Sequence, residues 1–418
     1  MTDFDGHDEK PILEKLPNCG STGAKSDRNP GYHAAQNLNL NLNRTSYIQT
    51  VSNGNVVRRV RRESDGARKF FASWMLRNQI GLSFNLLALL FLAHFIPKAR
   101  PHTIKFFTLS YRNPDSGKYG NGSDDVYPIV CLIVLFTGLR AAVMEYLLVP
   151  FAKMWGVRKI KDLTRFSEQS WLMCYYAVSW TMGMYIYYTS PYWLNNKELW
   201  TNWPDRELNR LDKFYILAQW AFWLQQIIVI NIEERRKDHT QMLAHHFVTC
   251  GLIYACYAYH QTRVGNLILV LMDFVDIVLP LAKCLKYMGF KLLCDAMFGV
   301  FLVSWVFTRH IVYCIVCWSI YADIPGIIGE TCFRGPADDL QGPLPIPEGY
   351  RYMLEPFWNP QGLVCFGRTV TWSFLAPLLL LQGMNMVWFA MIVRVALKVI
   401  RREGAEDNRS DDEGEKED

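Results

Sequence analysis

The chain has 418 residues, half of them hydrophobic and 14% aromatic, with a formal net charge of +5. Its apolar residues gather in blocks of about 18–25, the length of helix that crosses a hydrocarbon core of roughly 30 Å. That excludes an ordinary soluble domain and reads as an all-α polytopic membrane protein. The modest charge sits in loops and at a terminus, so it argues for no nucleic-acid partner.

Residues 1–70 are rich in Gly, Ser, Asn and charge, including the alternating run Asn37 to Asn43, and are expected to be a disordered cytosolic tail. The stretch lacks the apolar core of a cleavable signal peptide. Arg58, Arg59, Arg61 and Arg62 form a basic cluster ahead of the first span, as a positive-inside anchor or a contact for anionic lipid. About eight transmembrane helices are expected, near 79–96, 127–151, 169–188, 214–232, 243–260, 264–282, 295–320 and 370–397. Residues 71–160 carry the first two and 161–402 the remainder; 403–418 is an acidic cytosolic tail. With the amino terminus cytosolic, Arg158, Lys159 and Lys161, then Arg235, Arg236 and Lys237, then Lys283 and Lys286, fall on one side with Arg401 and Arg402. Both termini are then cytosolic. The sequon Asn121-Gly-Ser123 lies in the first lumenal loop under this orientation. Ser64 and Ser410 fit short kinase patterns. Cys332 and Cys365 flank a long loop and could pair if it faces an oxidising lumen.

The chemistry concentrates in the hairpin 243–282. Ionisable groups at hydrocarbon depth cost about 2.5–3.5 kcal/mol each on insertion scales, yet His245, His246, Asp273 and Asp276 occupy neighbouring spans. Folding the hairpin about Gln261-Thr-Arg263 sets Asp276 about 4.5 Å in height from His245 at 1.5 Å per residue. The i, i+3 spacing turns both carboxylates to one face. Adjacent histidines diverge by about 100°, so one of the two faces the aspartates. A neutral imidazole in such a site is a nucleophile or base, and a carboxylate can orient it, as acyl transfer from a thioester requires. The rivals are a metal site and polar glue between helices. Against the metal, the nine histidines include none of the HxxxH or HxxHH boxes of membrane di-iron oxygenases, and no metal is expected.

Other polar residues within spans are Arg309 and His310, read as a substrate-binding pair or a bundle contact, and Arg140 and Glu145, five apart and therefore expected to meet other helices rather than each other. Trp223 is a candidate for the cavity lining.

The run Arg236-Lys-Asp-His-Thr-Gln-Met-Leu-Ala-His-His-Phe-Val-Thr249, continued by Met272-Asp-Phe-Val-Asp-Ile-Val-Leu-Pro-Leu-Ala-Lys283, closely resembles the signature motif of ceramide synthases in the TLC-domain family. Arg165-Phe-Ser-Glu-Gln169, Ala221-Phe-Trp-Leu-Gln-Gln226 and Phe307-Thr-Arg-His310 resemble its fungal branch. The resemblance makes 161–402 a TLC catalytic domain, a bundle enclosing an intramembrane acyl and active-site cavity. It implies transfer of a fatty acyl group from acyl-CoA to the amine of a sphingoid long-chain base in the endoplasmic reticulum membrane. No cofactor is implied, acyl-CoA being a co-substrate. It places catalysis at His245, His246, Asp273 and Asp276, with His245 favoured over His246 as acyl acceptor and direct aminolysis with His as base as the other route. It further implies a homo- or heterodimer with a related synthase, a small single-span accessory subunit, and a chain-length determinant in the loop 321–369. The alternatives are a non-catalytic TLC-domain protein for translocation or lipid sensing, and an acyltransferase acting on a hydroxyl.

Overall fold

The computed structural model describes residues 47–52, 55–60, 63–233 and 238–400. The chain divides into two units, Met1–Asp65 and Gly66–Asp418. In the first, β1 (Tyr47–Ser52) and β2 (Asn55–Val60) pair antiparallel with Ser52 opposite Asn55, inside the stretch expected to be disordered. The two strands are joined in sequence by Asn53-Gly54, the strongest short hairpin signal, flanked by β-branched residues. Arg58 and Arg59 fall on β2. The Asn37–Asn43 run, Arg61 and Arg62, Arg235 to Lys237, Arg401, Arg402 and the acidic tail with Ser410 lie outside the described residues.

The second unit is mostly helical. All eight expected blocks appear as long helical stretches: α1 (Glu63–His94); after the short α2 (Arg100–Phe107), α3 (Val126–Val143) with a π-helical turn Met144–Leu148 and α4 (Val149–Met154); then α5 (Ile160–Tyr188), α6 (Arg210–Ile232), α7 (His239–Ala258) and α8 (Thr262–Tyr287). The seventh is composite: α9 (Lys291–Trp305), a π-helical stretch Val306–Val312 and α10 (Tyr313–Ala322), running into the single turn α11 (Ile324–Ile327). The last is α13 (Arg368–Ile400). Five of the eight are long and apolar enough to cross a membrane, within Ser73–His94, Ser123–Met154, Arg210–Ile232, Lys291–Ile327 and Arg368–Lys398. The remaining three, α5, α7 and α8, fall short of that measure, and two of them carry the His pair and the Asp pair.

α5 lies along α8, α8 along α9, and α6 between α3 and α7. The α5–α8 approach is close because Gly183 is there: a Cβ on it would stand 2.5 Å from the Tyr215 hydroxyl and 2.8 Å from Val270. Asn266 exploits the bare backbone, donating to the Gly183 carbonyl at 3.1 Å. α1 stands apart, with only 6% of its most apolar window buried and Phe84, Leu89 and Leu92 about two-thirds exposed, as a lipid-facing helix requires. Arg140 pairs with Glu233 at the end of α6, a different helix, as the spacing predicted.

One end of the bundle is capped by the segment between α11 and α13. Here β3 (Thr331–Arg334) pairs with β4 (Gln341–Leu344) and β5 (Val364–Phe366), the one-turn α12 (Glu355–Trp358) intervenes, and a Cys332–Cys365 disulfide bridges directly opposed residues of β3 and β5. Arg206, buried on the α5–α6 loop, ties this cap to the bundle. It donates to the carbonyls of Pro360, Phe333 and Gly362, and its Nη1 lies 3.1 Å from His260 Nε2. Burial pulls its guanidinium down to about 10, which leaves it a cation at neutral pH. His260 is buried in the α7–α8 turn with positive φ. Nearby, the sequon residue Asn121 is tied in: its amide donates to the Tyr257 carbonyl at 2.8 Å and its oxygen is enclosed.

Candidate active site

α7 presents its two histidines to different surroundings. His245 lines a cavity among the helices, together with Asp276, Arg309, Asn385, Trp223 and Met272. His246 is buried beside it and is not among the lining residues. Its Nδ1 is 2.6 Å from the Met242 carbonyl one turn back. A carbonyl only accepts, so the proton sits on Nδ1 and the lone pair on Nε2. The Trp223 indole wedges against both rings, with centroids 5.5 Å from His245 and 5.2 Å from His246, and Trp388 of α13 closes the other side of His245 at 5.3 Å. His245 Nδ1 is enclosed and finds no partner among the described residues.

The two aspartates share a side of α8 but not a role. Asp276 reaches the cavity and accepts from Arg309 Nη2 at 3.0 Å. Asp273 is fully buried against α5 and α6, where Ser179 donates at 2.8 Å and Gln219 at 2.7 Å to the same carboxylate oxygen. Gln219 is held in turn by Tyr175, whose hydroxyl donates to its carbonyl oxygen. The expectation that both carboxylates face the histidines therefore holds for the cavity at Asp276 alone; the 60° between i and i+3 is enough to hand Asp273 to the neighbouring helices.

Arg309 is delivered by the π-helical stretch, whose extra residue per turn is a common device at functional sites. Besides Asp276 it donates to the Met272 carbonyl at 3.2 Å and the Asn385 carbonyl oxygen at 3.3 Å, and its guanidinium lies 4.4 Å from the Trp305 ring centroid. His310 points elsewhere: it is not among the cavity lining and meets Gln382 at 2.9 Å and Phe389. Sequence reasoning passed over Asn385 and Trp388. The signal for Asn385 was present, since an amide in an apolar span needs a hydrogen-bond partner, though it costs less to bury than a charge.

From this polar head the cavity runs between apolar walls. On α8 its lining recurs at 264, 265, 268, 269, 272 and 276, a helical stripe spanning about 18 Å at 1.5 Å per residue. The far end is closed by Trp200, Ile324 and Phe366, the last next to the cap disulfide. Trp200 is fixed there by donating to Ser319 at 2.8 Å. Among the described residues no three His, Cys, Asp or Glu side chains converge as a metal site would need.

Residues 165–394 match the family described as TRAM_LAG1_CLN8, TLC domain. The Ceramide Synthase FUM18 of Gibberella moniliformis is 48% identical over 337 residues, 80% of this chain and 79% of that protein. The sphingosine N-acyltransferase-like protein ALT7 of Alternaria alternata is 43% identical over 375 residues, covering 88% and 84%. The sphingosine N-acyltransferase lag1 of Schizosaccharomyces pombe is 39% identical over 336 residues, 80% of each. The chain belongs to the TLC-domain family, among the ceramide synthases and sphingosine N-acyltransferases.

Proposed function

We propose that the protein is a ceramide synthase, transferring a fatty acyl group from acyl-CoA to the amine of a sphingoid base. One observation carries the reading: a reactive polar head of His245, Asp276, Arg309 and Asn385 opens onto an apolar cavity about 18 Å long, the shape of one activated acyl chain.

In the covalent route, His245 attacks the thioester carbonyl through Nε2, since its Nδ1 is enclosed. The carbon–sulfur bond breaks and CoA leaves as thiolate. The amine of the base then attacks the acyl carbon, the carbon–nitrogen bond to the imidazole breaks, and the amine proton passes by Asp276 to the departing side, where the thiolate takes it. Arg309 and the Asn385 amide stabilise the carbonyl oxygen as it gains charge. His246, Asp273 and Trp223 are positioning residues: they hold α7, α8 and the His245 ring against one another. In direct aminolysis His245 takes the amine proton instead. No cofactor enters either route.

All eight long helices span the membrane in this reading. The disulfide supports a cap on the oxidising, lumenal side of the endoplasmic reticulum membrane. His245, at the opposite end of α7, is then on the cytosolic side, where acyl-CoA is found, with both termini cytosolic. A second synthase subunit and a small single-span protein carry over as candidate partners, checked by co-purification.

The test is ceramide formation by purified protein from acyl-CoA and dihydrosphingosine, with product identified by mass spectrometry. Ceramide is expected from wild type and none from His245→Ala; equal activity of the two removes His245 from the chemistry, and an ester product would assign a hydroxyl acceptor.

A further inference from the structure

A second apolar recess lies on the outer side of the cavity wall, between α7 and α13. It is a partly open groove rather than an enclosed space. Its α7 side is formed by residues 248, 251, 252, 255 and 259, and its α13 side by residues 370, 373, 374 and 377, each a single helical stripe. Small side chains make the room: Gly251, Ala255 and Ser373 are among its lining. No charged residue lines it. At its cap end the recess is closed by α12 and the turn before it, pinned to α7 by Tyr254, donating to the Phe357 carbonyl at 2.8 Å, and Tyr259, donating to the Met353 carbonyl at 2.6 Å.

Two facts connect this recess to the site. Leu252 and Phe374 line both spaces, so a single layer of side chains separates them. The recess also begins at Val248, three residues or about 4.5 Å along α7 from His245, and runs about 17 Å to Tyr259. It is therefore parallel to the cavity, of similar length, and starts beside the same reactive head.

The reaction product sets the requirement. Ceramide carries two long chains that diverge from one amide. The internal cavity provides for one of them, and the second must leave the same head along a different apolar path. We propose that the α7–α13 recess is the binding groove for the aliphatic tail of the sphingoid base, and that the two tails of the new ceramide straddle the Leu252–Phe374 wall. This rests on the ceramide synthase reading. The tail reaches the groove from the bilayer, the amine meets His245 at the groove's head end, and the polar headgroup stays outside a groove that has no charged wall to receive it.

Gly251 gives a gentle probe, because a Cβ there meets nothing within 4 Å. Gly251→Phe and Ala255→Phe should fill the groove without entering the cavity. Each methylene kept from burial costs about 0.8 kcal/mol, so losing two or more predicts that KM for dihydrosphingosine rises about tenfold or more. KM for acyl-CoA should be unchanged, and the defect should fade with a short-tailed base that ends before residue 251. Val303→Phe, on an exposed face of α9, controls for added bulk towards lipid. In wild type, a base carrying a photoreactive diazirine in its tail should label peptides containing 248–259 or 370–377, with competition by unlabelled base. An unchanged KM for the base in both Phe variants overturns the proposal. So does labelling confined to cavity residues such as Ile216 and Leu269, or labelling displaced by phospholipid but not by base, which would make the groove an ordinary lipid-facing surface. Failure of the functional reading shows differently: wild type itself would then form no ceramide.

Discussion

Arg309 and Asp276, 33 positions apart, meet at 3.0 Å at the head of the cavity, the arginine brought there by a π-helical stretch and the aspartate by α8. Asn385 of α13 completes the junction by accepting from the same guanidinium. Three helices thus converge on one polar point, and the site's geometry depends on their relative placement.

Removing either partner leaves the other charge without its mate in a largely desolvated setting. Asp276→Asn and Arg309→Met are each expected to lower kcat/KM by about a hundredfold. The double variant should lose much less than the product of the two, as a coupled pair does. Steady-state kinetics on the three purified variants checks this, and multiplicative losses would show that the two residues act independently.

The histidines should separate cleanly. His245→Ala is expected to abolish both turnover and any acyl adduct in single-turnover mass spectrometry. His246→Asn, which touches the ring packing behind the site rather than the cavity, should cost about tenfold in kcat and leave an adduct detectable. An adduct that survives in His245→Ala and vanishes in His246→Asn would reverse the assignment.

Gly183→Ala tests the helix crossing. The added methyl would sit within 3 Å of Tyr215 and Val270, so one helix must shift, at a cost of about 1–3 kcal/mol. A lowered Tm with unchanged KM for both substrates is the expected pattern. Full stability would mean that α5 and α8 are less closely packed than described.

Arg206→Leu strips three cap carbonyls of their donor. Each buried carbonyl left unpaired costs about 1–3 kcal/mol, so the cap should become the first region cut by limited proteolysis, within 331–367. Cleavage no faster than in wild type would show that the disulfide sheet holds without it.

The sequence foretold the eight helical blocks because long apolar runs form helices, and five of them are long and apolar enough to cross a membrane. It foretold the reactive hairpin because ionisable groups there are too costly to be casual. The Asp273–Asp276 division was not legible: both satisfy the same spacing, and only the neighbours, Ser179 and Gln219 for one and Arg309 for the other, tell them apart. Those neighbours come from three separate segments, and no local pattern encodes their meeting. The π-helical stretch was hidden for a related reason, since one extra residue in a turn leaves the apolar block intact. The β1–β2 hairpin was legible and was missed: its Asn53-Gly54 lies amid polar residues whose composition argued for a solvated tail.

The disulfide beside the cavity has a consequence for how firmly one end of it is held. Cys365 is followed at once by Phe366, one of the residues that line the cavity. A covalent bond between β3 and β5 therefore fixes the backbone that carries an apolar wall, where a short three-residue strand alone would leave that wall held by a few ladder hydrogen bonds.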